Sequence, residues 1–279
     1  MVYLFTALYC EAHIFIKQYK LIKNQQRTWF QEFYNETDGI RLAVTGVGEI
    51  AASATVSSVC SLYRLMPDDL LLNVGICAHA AKNEGIFLCN KIIEEATGRT
   101  FYPDMLYQHN FCEETIVTRM LPWHGGNASC AANLYDMEAA AVYQAGARFF
   151  GPHQMSFLKI VSDSGAVKDI SKERVTHLME RYQDSIFDYI RRMAALTQAN
   201  SLRKKELCQE DTRLIGTFCA DLHCSKAMRD SVQQYIRYLT LAGTDYISVI
   251  QDMYEKELLP CKDKREGKQR FEEFKKRLF

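Results

Sequence analysis

Three carboxylates in this sequence stand where the chain changes direction, and a carboxylate is a group that moves protons. Asp163 follows the apolar, β-branched run 157–161 and precedes the small loop Ser164-Gly165-Ala166. Such a run reads as a strand buried on both faces. In open α/β sheets, ligands bind beyond the carboxyl ends of strands. Glu138 stands at the head of the alanine-rich stretch 139–147, which favours helix and is broken by Gly151-Pro152. Glu11 follows the apolar run 2–8. Each has a plain structural alternative. The helix dipole favours an acidic residue at a helix start, and Asp163 is suited to capping its own loop. Taken together, at strand and helix termini along one sheet edge, the three form a set able to divide acid and base roles.

The elements that must position them read as an α/β chain. Residues 2–8 form a first strand and 14–21 begin the first helix, with Glu11 in the turn between. Residues 29–38 form a strand or hairpin with Asp38-Gly39 as its turn, and 40–45 the next strand. That strand runs into Gly46-Val47-Gly48-Glu49, a glycine turn opening a small-residue helix over 48–60. A GxG here suits close backbone approach to a ligand. It lacks the third glycine of a dinucleotide fingerprint, which argues against a Rossmann cofactor site. Residues 69–75 read as a buried strand, with Ile76-Cys77-Ala78-His79-Ala80 as the loop after it. His79 reads first as a structural hydrogen-bonder and second as an acid–base group, imidazole being most easily poised near neutral pH. Strands are expected at 85–91 and 114–121, a paired aromatic stretch at 101–109, and a loop over 122–131 carrying Trp123, His124 and Gly125-Gly126. Ser171 caps a long helix to about Leu196. Its apolar positions Val175, Leu178, Met179, Tyr182, Ile186 and Ile190 recur at helical spacing.

A chain of 279 residues, 48% hydrophobic, has the material for one large domain or a domain with an appendage. A formal net charge of zero provides no global field to recruit nucleic acid or a membrane surface. Residues 1–16 are apolar but have no basic n-region, and Glu11 and His13 interrupt them, so they read as a strand rather than a signal peptide. No apolar run approaches the roughly 20 residues that span a bilayer. Most of the ten cysteines lie in apolar stretches and read as buried free thiols. The expectation is a soluble, cytoplasmic protein.

Two motifs carry a resemblance. Asp136-Met137-Glu138-Ala139-Ala140-Ala141, followed by Ile160-Val161-Ser162-Asp163-Ser164-Gly165-Ala166, is similar to the paired motifs of the purine nucleoside phosphorylase superfamily, and most like those of the methylthioadenosine/S-adenosylhomocysteine nucleosidases. The likeness covers about residues 1–195. It implies an α/β fold with a mixed central sheet flanked by helices, and cleavage of a nucleoside N-glycosidic bond. By position, Asp163 matches the general acid at the purine N7. Glu138 matches the carboxylate that binds the ribose hydroxyls, and Met137 packs on the sugar. Glu11 matches the base for the attacking water. Lys159 falls where the nucleosidases have an arginine near that water, keeping the charge but not the fork. Ser162 belongs to the substrate-binding set. Ile76 does too, in the loop under the ribose, where the nucleosidases tend to have a serine. The resemblance also implies an aromatic stacked on the purine from a longer insert; here Phe111 and Trp123 are the candidates. It implies no cofactor, and a homodimer with the 48–60 helix at its interface.

The matching phosphorylases bind phosphate through arginines, and the corresponding positions in 6–12 and 73–75 hold none, so hydrolysis leads over phosphorolysis. A further alternative is a non-catalytic nucleoside sensor. Polar residues 197–205 mark a boundary, giving a catalytic domain over 1–199 and a helical extension over 200–279. In the extension, Met228, Val232, Tyr235, Ile236 and Leu239 mark one helix stopped by Gly243. Thr244 caps a second over 245–258, ended by Pro260. A charged third carries Phe271, Phe274 and Leu278. Cys208, Cys219, Cys224 and Cys261, with His223, fit no standard zinc spacing.

Overall fold

The computed structural model describes residues 1–26, 29–125, 132–165, 170–203, 209–242 and 244–277. Gly126, Cys130, Ala131, Ala166, Lys205, Cys208, Gly243 and Leu278 lie outside these. The chain divides into two units, Met1–Gln198 and Ala199–Phe279.

In the first unit the strands are β1 (Val2–Thr6), β2 (Ile22–Lys23), β3 (Gln31–Asn35), β4 (Ile40–Val44), β5 (Leu70–His79), β6 (Ile86–Glu94), β7 (Thr100–Phe101), β8 (Cys112–Thr118), β9 (Leu134–Asp136) and β10 (Met155–Asp163), with β5 and β10 built on apolar runs with β-branched residues. They form one mixed sheet, in order β10-β6-β8-β9-β5-β1-β4-β3-β2, with β7 on β6. Because β5 also pairs with β10, the strands β5, β10, β6, β8 and β9 close into a ring. The strands β1, β4, β5 and β10 run parallel, so their carboxyl ends share one edge. The helices α1 (Tyr9–Gln18) and α4 (Lys172–Arg203) cover one face, packing residues such as Phe15, Val175 and Met179 on Leu4, Leu72 and Ile160. The helices α2 (Glu49–Leu62) and α3 (Ala139–Gly146) cover the other, against Phe5, Phe157 and Val161. This is the expected architecture of a mixed sheet flanked by helices.

Several boundaries depart from the sequence reading. The helix α1 begins at Tyr9, so Glu11 lies in its first turn rather than ahead of it. The strand β5 continues to His79, making 76–79 strand rather than loop. There, Ile76 and Cys77 pair with Ile160 and Val161, and Ala78 and His79 with Tyr135 and Leu134. The partner segment Leu134–Asp136 is itself a strand, too short to show a period. Of the aromatic stretch 101–109, only Phe101 is paired, with Ile92. Asp163 is the last residue of β10.

The second unit is helical: α5 (Gln209–Asp221), α6 (Lys226–Ala242), α7 (Ile247–Glu255) and α8 (Lys264–Arg277). Phe218, Val232, Ile236, Leu239, Ile250, Met253, Phe271 and Phe274 form its core. Gly267 on α8 lies so close to the end of α5 that an added Cβ would sit 1.8 Å from the Leu222 carbonyl oxygen. The sequence pattern does not announce the α5 helix. Before α7, Asp245 rather than Thr244 accepts the Ser248 N–H. Among the described residues, no helix is long and apolar enough to cross a membrane, and no group of three or more His, Cys, Asp or Glu side chains is placed to hold a metal ion.

Candidate active site

The shared edge of β1, β4, β5 and β10 opens into a cavity of about 290 Å³, at the small end of small-molecule sites. Glu11, Glu138 and Asp163 all line it, with Ile76, Met137 and Ser162. Six positions named from the sequence, spread over more than half the chain, therefore meet in one place. No arginine or lysine lines it among the described residues.

Glu11 is 1% exposed. Its Oε2 accepts the backbone N–H groups of Ala7 (2.8 Å) and Leu8 (2.9 Å), and its Oε1 accepts that of Ile76 (2.9 Å). The side chain folds back over its own helix start and bridges to β5. Gly75 makes room for it, since a Cβ there would sit 3.0 Å from Oε1. Burial pushes the carboxyl above its usual range, while the three amides and Lys159 pull the other way. A base with raised proton affinity suits removal of a proton from water.

Glu138 is the residue before α3. Its Oε1 accepts the Gly48 N–H at 2.8 Å, tying the head of α3 to the glycine turn before α2. Gly48 has φ +97°, a conformation glycine adopts freely. Burial, then the neighbouring Asp136, raises the Glu138 carboxyl to about 7, while Lys159 and the Gly48 amide oppose them and Glu11 adds to the rise.

Asp163 accepts the Gly165 N–H on Oδ1 and the Ser162 hydroxyl on Oδ2, each at 2.7 Å. The Ser162 carbonyl in turn accepts from the Arg174 guanidinium, through Nη2 at 2.7 Å and Nε at 3.1 Å, so α4 braces the end of β10. Ser171 accepts the Arg174 N–H, the expected cap. Gly165 has φ +77°, and a Cβ on it would lie 2.6 Å from the Trp123 ring. Trp123 is held there by stacking on Tyr135, with centroids 4.5 Å apart and planes 9° from parallel. Both rings line the cavity. Of the two aromatic candidates, Trp123 is therefore at the site. Phe111 instead packs against Tyr189 and His109, beside a separate cavity.

Lys159 does not line the cavity. It is buried in the middle of β10, and its ammonium pairs with Asp136 at 2.8 Å. The resemblance had implied a cation beside the attacking water; the shorter, unforked lysine is instead engaged by a carboxylate. Burial alone would lower its pKa, but Asp136 and then Glu138 overcome this and raise it. A lone lysine in the apolar run 155–161 was the available signal for such a pair, because a buried ammonium demands a buried anion. Nothing in the sequence flagged Gly48 or Arg174 as partners of residues 90 and 12 positions away. His79 lies outside the cavity lining. Its Nδ1 accepts the N–H groups of Ala81 and Lys82, and burial, then Lys82, lowers its pKa. It holds the turn after β5, the structural role the sequence favours.

No family model and no curated protein matches the sequence. Solved structures do match the fold, among them nucleosidases. The 5'-methylthioadenosine/S-adenosylhomocysteine nucleosidase of Campylobacter jejuni superposes with a TM-score of 0.54 at 12% identity, over 68% of this chain and 97% of its own. The Arabidopsis thaliana 5'-methylthioadenosine nucleosidase, in apo form, gives 0.54 at 16% identity, over 69% and 95%. The Streptococcus pneumoniae 5'-methylthioadenosine/S-adenosylhomocysteine nucleosidase, solved with the transition-state inhibitor MT-ImmA, gives 0.55 at 14% identity, over 70% and 99%. This chain has their fold.

Proposed function

We propose that the Met1–Gln198 unit hydrolyses the N-glycosidic bond of a purine nucleoside, such as a 5'-substituted adenosine, and releases the free base. The observation that carries this reading is the meeting of Glu11, Glu138 and Asp163 in one cavity. Cleavage of that bond develops positive charge on the sugar and negative charge on the base. Asp163, at the aromatic wall formed by Trp123 and Tyr135, delivers a proton to the leaving base. Glu138, whose Oε1 is already tied to Gly48, offers Oε2 to the ribose hydroxyls and favours the cationic sugar. Met137 packs on the sugar. Glu11 takes the proton of the attacking water, held in place by its three amides. The ligand complexes of structures with this fold, among them that of the Streptococcus pneumoniae enzyme with MT-ImmA, support a nucleoside-like occupant.

Water rather than phosphate is the nucleophile in this reading. A phosphate would carry about −1.5 to −2 charge near neutral pH into a cavity that already holds buried carboxylates and, among the described residues, no arginine or lysine on its lining. The test is base release from a nucleoside panel with and without inorganic phosphate, with the sugar product identified. Free sugar formed without phosphate is the expected result. A strict phosphate requirement with a sugar 1-phosphate product overturns hydrolysis, and no release from any nucleoside overturns catalysis. A homodimer through α2 belongs to the same reading. It is supported by the exposed apolar side chains Val47, Ile50 and Leu62 on that helix and its lead-in, and is checked by light scattering.

A further inference from the structure

Lys159 interrupts the apolar strand β10 and is buried, as is its partner Asp136. Removing two charges from water is costly unless each keeps further hydrogen bonds, and the surroundings supply them. The Asp136 Oδ2 that meets the ammonium also accepts the Ala139 N–H at 2.8 Å. Its Oδ1 accepts the Thr118 hydroxyl at 2.7 Å, and the Thr118 oxygen accepts the Ala140 N–H at 2.9 Å. Two of the amides that a helix start leaves unpaired therefore end in a cluster whose charge Lys159 balances. Glu138 lines the cavity, as does Asp136 of this cluster. Its backbone is held by Asp136 on one side and the clamped first turn of α3 on the other, and its Oε1 by Gly48.

We propose that Lys159 is a positioning residue, which through Asp136 fixes the turn at the head of α3 and so sets how Glu138 stands in the cavity. Its consequence for catalysis rests on the reading of Glu138 as the ribose-binding carboxylate; the positioning itself does not. The alternative is that the ion pair merely fills the core. The two differ in what happens to Glu138. The charged groups bearing on it are Asp136 from β9, Lys159 from β10 and Glu11 from α1, with the Gly48 amide ahead of α2. Asp136 and Glu11 strengthen its hold on a proton; Lys159 and the amide weaken it. Removing Lys159 and removing Asp136 move Glu138 in opposite senses by charge alone; only positioning predicts that both variants also loosen the Glu138–Gly48 bond and expose the Gly48 amide to hydrogen exchange, which a core-filling pair leaves intact.

The experiment titrates the Glu138 carboxyl carbon by NMR in the full chain, labelled at glutamate and assigned by the signal missing from E138Q. K159M is expected to raise the midpoint from about 7 by about one pH unit or more, the usual effect of a nearby opposite charge. D136N is expected to lower it, the double variant K159M/D136N to return near the native midpoint, and K159R to stay near it. Should K159M alone not fold, the protection of the Gly48 amide in D136N and in the double variant carries the test. A Gly48 amide as protected in K159M and D136N as in the native protein, or midpoints that shift the same way in both single variants, overturns the proposal. Base release adds a second readout: K159M should raise KM at pH 7 at least severalfold, with K159R restoring it. A native protein that releases no base would refute the nucleosidase reading while leaving the Gly48 amide to decide the role of Lys159.

Discussion

Replacing Glu138 by glutamine should make the protein more stable at neutral and alkaline pH. The fold lifts this carboxyl from 4.5 to about 7, first through burial and then through Asp136. The folded state thus binds the proton more tightly than the unfolded chain does. The stability Glu138 contributes is fully present below pH 4.5 and is lost as pH rises through about 7. At about 1.4 kcal/mol per pH unit, that interval corresponds to roughly 3 kcal/mol. Glutamine keeps an oxygen for the Gly48 N–H, 2.8 Å away, and cannot ionise. Urea unfolding followed by tryptophan fluorescence measures the effect. Both tryptophans, Trp29 and Trp123, belong to the Met1–Gln198 unit, so the signal reports the unit that holds Glu138. The variant and the native protein should be alike near pH 4.5 and diverge through neutrality. By pH 8.5 the variant should lead by about 3 kcal/mol, while its base release is lost. A difference that does not vary with pH, or a native protein that is the more stable at pH 8.5, would refute the electrostatic reasoning. The result expected is a residue kept for function against stability.

Three other substitutions probe the remaining groups. Asp163→Asn can still accept the Gly165 N–H but delivers no proton. Base release should fall about 10²–10⁴-fold with the circular dichroism spectrum unchanged, and near-native turnover would remove Asp163 from the mechanism. Gly75→Ala puts a Cβ 3.0 Å from the Glu11 Oε1 and should displace the carboxylate proposed to take the proton of water. The expected signature is a kcat lowered about tenfold or more with KM little changed; a drop in binding alone would argue against Glu11 as the base. Gly165→Ala forces a side chain onto a residue at φ +77° and against the Trp123 ring and the Gly125 nitrogen. It should cost about 2–4 kcal/mol and shift the tryptophan emission, so an unperturbed melting curve would count against this packing.

Much of the site could be read from residue types and local pattern. The alanine-rich run after Glu138, the β-branched run before Asp163 and the capping Ser171 each announce an element through propensities that act over a few residues. The placement of a carboxylate at the end of a parallel strand follows from the element order alone, because parallel strands share one carboxyl edge. These signals point to Glu11, Glu138 and Asp163 without any knowledge of the distances between them. Short elements escaped for the same reason. The three residues of β9 carry too little pattern, and they are strand only because β5 and β8 flank them.

The partners of the charged groups were a different matter. Glu11 was legible as an acid beyond the first strand, but not its reach across 65 positions to the Ile76 amide. Glu138 was legible at a helix start, but not its bond to Gly48. The family resemblance implies Lys159 as a cation near the attacking water, and in the fold its ammonium pairs with Asp136. Local sequence dictates backbone conformation because propensity, capping and periodicity are short-range. Proton affinities depend on burial and on charges within a few ångströms, and those neighbours are brought together by strand pairing and helix packing between segments far apart in the chain.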